Sequence, residues 1–66
     1  MVPKNLMDEY KIANDLAEIA WNQMILEARK LAAQGTNMQC SHYLCQNFYN
    51  ARGKKQDIIE KIYKNL

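Results

Sequence analysis

The residues that could do chemistry in this 66-residue chain lie almost together. Cys40, His42 and Cys45, both cysteines and the only histidine, fall within "MQCSHYLCQN". Thiolate and imidazole are the ligands of structural zinc, and a thiol beside an imidazole is the start of cysteine nucleophilic catalysis. Neither chemistry follows from this spacing. Structural zinc takes four ligands, commonly as two separated pairs, and the chain carries no second pair. On a helix, residues 40 and 45 point about 140° apart at 3.6 residues per turn, too divergent to clasp one ion. A helical i,i+5 pair also exceeds the roughly 7 Å Cα separation that a disulfide tolerates, unless the stretch is looped. Cys40 and His42 point nearly opposite ways on a helix. No catalytic residue, metal ligand or cofactor is therefore expected. Cys40 is expected as a small buried hydrophobe, Cys45 as half-buried and His42 as exposed or at an interface.

Those residues need elements to position them, and the apolar periodicity supplies three helices. The first is predicted over about 5–34, with Asn5 as N-cap, Asp8 and Glu9 in the first turn, Arg29 and Lys30 near the far end, and Gly35 as the closing residue. Leu6, Tyr10, Ala13, Ala17, Ala20, Met24, Ala28 and Leu31 make one stripe, widened by Leu16 and Ile19 on one side and Trp21 on the other. A second helix is predicted over about 38–52, its inner face formed by Cys40, Leu44, Phe48 and Ala51, with Gly53 as its stop. A third is predicted over about 55–66, where Ile58, Ile59, Ile62, Tyr63 and Leu66 are apolar and Lys55, Lys61 and Lys64 lie away from them. The fold class is all-α: a single domain over 1–66, with two shorter helices packed on a long one, as a possible dimer. Together the shorter helices match the long one in length, so they could lie end to end along it.

Size and charge bound the function. A chain this short buries only about 60 % of its unfolded surface, and such scaffolds commonly rely on a disulfide, a metal or a second subunit. The Ala-rich stripe then favours a homodimer. Residues 1–27 carry a net −3 and residues 28–66 a net +5, which favours folding one half back onto the other. No apolar run is long enough for a membrane span. The opening residues lack the order of a signal peptide. The expectation is a cytoplasmic protein with reduced thiols, and not an enzyme, since little chain is left to build a cleft.

Between Lys30 and Arg52 there is no formally charged residue, while Tyr43, Phe48 and Tyr49 stand among amides and hydroxyls. Interfaces are depleted in charge and enriched in aromatics and Arg. Tyr43, Gln46, Asn47, Tyr49 and Arg52 are accordingly the candidate protein-binding residues of a small helical regulator or adaptor. The alternative is a nucleic-acid-binding regulator using the basic group Arg52, Lys54, Lys55, Lys61 and Lys64. A helix-turn-helix centred on Gly35 fits poorly, since polar Gln34 and Ser41 stand where apolar residues belong. The sequence also departs from the Ser-Gln-x-x-Asp signature of small helical-hairpin phosphatases. Ser41 is present, but His42 replaces the Gln and Cys45 the Asp.

Overall fold

A computed structural model describes residues 2–66 as two helices, α1 over Lys4–Ala33 and α2 over Tyr43–Lys64. Tyr10 lies beside Lys55, Trp21 beside Phe48, and Leu26 and Lys30 near Tyr43 and Leu44, so α2 runs antiparallel along α1. The helical hairpin is 50 Å long and 16 by 14 Å across. Its radius of gyration is 15.0 Å, against about 11 Å for a compact domain of this length.

The long first helix closes as the sequence foretells. Gly35, at φ +80°, donates its N–H to the Ala32 carbonyl, and Thr36 donates to Leu31. That pair of bonds is a Schellman motif, which satisfies carbonyls the helix leaves free. The start differs from expectation. Pro3, not Asn5, is the N-cap residue, and its carbonyl accepts from Leu6 and Met7. Asp8 and Glu9 therefore fall beyond the first turn, where the helix dipole acts more weakly.

The expected second and third helices are one. Gly53 sits inside α2 rather than ending it. Glycine in a helix interior costs about 1 kcal/mol relative to alanine. The inward positions Leu44, Phe48, Ala51, Lys55, Ile58 and Ile62 alternate steps of four and three straight through it, and each is half-buried. That unbroken seam outweighs one weak residue. The same register corrects Lys55, which lies in the seam with its ammonium 5.9 Å from the centre of the Tyr10 ring. The start moves as well, from about residue 38 to Tyr43, leaving 34–42 as the connection.

A Cβ built on Gly53 meets nothing within 4 Å, and its φ is helical. Gly53→Ala is thus expected to stabilise by about 0.4–1 kcal/mol, raising the thermal midpoint by several degrees at fixed protein concentration. Gly35→Ala should lower it, because alanine at positive φ is strained. A loss of stability in Gly53→Ala would mean that the helix breaks there.

The core lies where the stripe on α1 predicts. Ala13, Ala17 and Ala20 are buried at 8, 7 and 8 % exposure, and Leu6, Tyr10, Met24, Ala28 and Leu31 are half-buried around them. Alanine lets two helices approach closely. Two helices alone cannot enclose a large side chain, and no side chain among the described residues is fully buried. Among those residues, no helix is long and apolar enough to cross a membrane.

Candidate functional site

His42 is the N-cap of α2: the Leu44 N–H donates to its Nδ1 at 3.2 Å, satisfying one of the amides a helix start leaves free. The imidazole also stacks on the Tyr43 ring, with centroids 4.9 Å apart and planes at 21°. Cys40 lies outside the helix and is exposed, not buried as its supposed helical phase implied. Cys45 is half-buried, and both thiols are free. Among the described residues, no three His, Cys, Asp or Glu side chains come together as a group that could hold a metal.

The five candidate protein-binding residues do not share one surface. At 100° per residue, Arg52 lies about 140° around α2 from Asn47, and Tyr49 about 200°. Tyr43 and Asn47 border a shallow depression with Gln23, Leu26, Glu27 and Lys30 of α1. Gln46 is taken up locally, its side-chain amide donating to the Cys40 carbonyl at 2.9 Å. Tyr49 is exposed beside Phe48, their ring centroids 5.9 Å apart, and Arg52 is exposed. The basic residues are spread too. Arg52 and Lys54 stand about 200° apart and Lys55 is in the helix seam, while exposed Lys54, Lys61 and Lys64 lie within about 80° of one another with Asp57 among them.

The surface that does converge lies mainly on α1. Ile12, Leu16, Ile19 and Leu26 are 62, 55, 53 and 66 % exposed. With Gln23 and Lys30 they alternate steps of four and three on the face beside the buried stripe. A helix with two such seams has places for two helical neighbours, and α2 fills only one. Between the helices, Ile12, Leu16 and Ile19 are the apolar wall of a groove whose other wall includes Asn47, Asn50, Lys54 and Ile58. The sequence reading registered Leu16 and Ile19 only as a widening of the core stripe and missed Ile12 and Leu26. The repeated spacing was the signal that could have found them.

A smaller apolar hollow lies at the open end, among Met7, Tyr10, Ile59, Ile62, Tyr63 and Leu66. Met7 is about 140° around α1 from Ile12, so the hollow is separate from the seam. No protein-family model, curated protein or solved structure matches the chain.

Proposed function

We propose that the chain is a small helical regulator or adaptor that acts by binding protein through the apolar flank of α1. One observation carries this reading: Ile12, Leu16 and Ile19 form an apolar row, each more than half exposed, along a groove with an amide-rich rim, and exposed Leu26 continues that face beyond Gln23. Isolated exposed hydrophobes are ordinary, but a contiguous row rimmed by polar groups marks an interaction surface. Its shape suits an amphipathic helix laid along a groove, anchored every third or fourth residue. On α2 only Lys54, Lys61 and Lys64 share a face, and Asp57 stands among them, a weak lure for a phosphate backbone, so the protein-binding reading is preferred to the nucleic-acid one.

Photocrosslinking in living cells tests it. Benzoylphenylalanine in place of Leu16 or Ile19 should give discrete protein adducts. The same probe in place of Lys11 or Glu18, turned away from that row, should give few. Adducts to nucleic acid, or equal labelling from both sides, would count against the reading.

A further inference from the structure

We infer that the partner on this flank is a second copy of the chain, its α1 lying antiparallel to the first about a two-fold axis near Ile19. The inference rests on the protein-binding reading and names the partner of that same surface.

Three observations lead to it. The first is area. The chain exposes 5211 Å², whereas a compact 7.7 kDa monomer exposes about 4,300 Å². The excess, about 900 Å², resembles the roughly 800 Å² that each partner loses in a standard interface.

The second is symmetry. A two-fold interface is self-complementary: each surface patch must match its own image. Ile12 and Leu26 are equally far in sequence from Ile19. Antiparallel pairing about Ile19 sets Ile12 level with the second copy's Leu26, and brings the Ile19 side chains of both copies together. Leu16 then falls near the second copy's Gln23, which lies on the same seam.

The third is charge. The apolar row is bounded by Asp8 and Glu9 at one end and by Arg29 and Lys30 at the other. Antiparallel pairing brings these acids level with the second copy's Arg29 and Lys30 at both ends of the contact. Parallel pairing would set acids against acids at one end and bases against bases at the other. Exposed ion pairs add little affinity, but charge arrangement selects orientation and disfavours the wrong pairing. Asn47, Asn50 and Lys54 supply a polar rim beside the apolar centre, as interfaces have.

Sedimentation equilibrium of the full chain at tens of micromolar tests the pairing. Wild type should sediment as a dimer, and Leu16→Glu should raise its dissociation constant at least about a hundredfold, since each dimer loses two apolar anchors. Circular dichroism checks that the variant stays helical. Orientation is read by disulfide capture in a Cys40→Ser, Cys45→Ala background. A mixture of Ile12→Cys and Leu26→Cys chains should crosslink to each other, and neither should crosslink to itself. Self-crosslinking of each variant alone means parallel pairing and overturns the inference.

A wild type that stays monomeric at millimolar concentration also overturns it, and the dye ANS then separates the two readings. Dye bound by that monomer and lost in Leu16→Glu leaves the apolar flank standing as a site for a different protein. A monomer that binds no dye there removes the flank, and the broader reading falls with it.

Discussion

Ala17→Asp should unfold the protein at room temperature. Ala17 is among the three buried residues, between Ala13 and Ala20 on the line where the helices meet. Its methyl group is small enough to let α2 close on α1. A carboxylate in that seam is desolvated, and Ala17 borders Trp21, Phe48 and Lys55 in a shallow hollow. Lys55 lines the same hollow and could offset it only at the cost of its contact with Tyr10. An uncompensated buried charge costs about 3–5 kcal/mol. A core in a chain of this size supplies about as much in total. Ala17→Leu tests the steric half of the argument alone, and overpacking there should cost about 1–3 kcal/mol. Urea denaturation followed by far-ultraviolet circular dichroism, at one fixed protein concentration, measures both. If Ala17→Asp retains a cooperative transition within about 1 kcal/mol of wild type, the helices do not close on Ala17.

Phe48→Ala should cost about 2 kcal/mol. The value is below the roughly 3–5 kcal/mol of a fully buried phenylalanine because this ring is only half-buried. Its main partner is Trp21, with centroids 5.0 Å apart and planes tilted by 58°. Such a pair contributes about 0.5–1.5 kcal/mol beyond the area it buries. A double-mutant cycle with Trp21→Ala isolates that part and should return a coupling in this range. Trp21 is the only tryptophan, so its emission reports the same contact: Phe48→Ala should shift it to the red while most of the helix signal remains. Tyr49→Ala is the control. Tyr49 is exposed and touches Phe48 only from outside, so its loss should stay within about 0.5 kcal/mol. A larger effect from Tyr49 than from Phe48 would mean that α2 is rotated from its described register.

Part of this molecule can be read without coordinates because it depends on periodicity alone. The inner face of α1, from Leu6 to Leu31, follows from residues placed every third and fourth position, since a helix brings those onto one side. Gly35 follows from local chemistry, because a positive φ is free of strain only for glycine. The end-to-end path of the chain back along α1 is an arrangement that matched lengths permit, and packing selects it. The second apolar seam was equally present in the spacing of Ile12, Leu16, Ile19 and Leu26. It went unread because a seam beside a core stripe looks like the edge of that core until the first neighbour is in place.

What only the tertiary structure decided is which local preferences win. Gly53 reads as a stop because glycine weakens a helix. Packing along α1 rewards every residue from Leu44 to Ile62 that keeps the register, and that sum exceeds the local penalty of about 1 kcal/mol. Lys55 reads as a solvent residue, yet the continuous register carries it into the seam, where it is half-buried beside the hollow of Ala17, Trp21 and Phe48 and its charge reaches the Tyr10 ring. Cys40, His42 and Cys45 read as one cluster because they are close in sequence. The chain turns between them, leaving Cys40 in water, His42 as a cap and Cys45 on the helix. Spacing in sequence states which side chains can share a face only once it is known where the helix begins, and that boundary is set by where α2 can pack on α1.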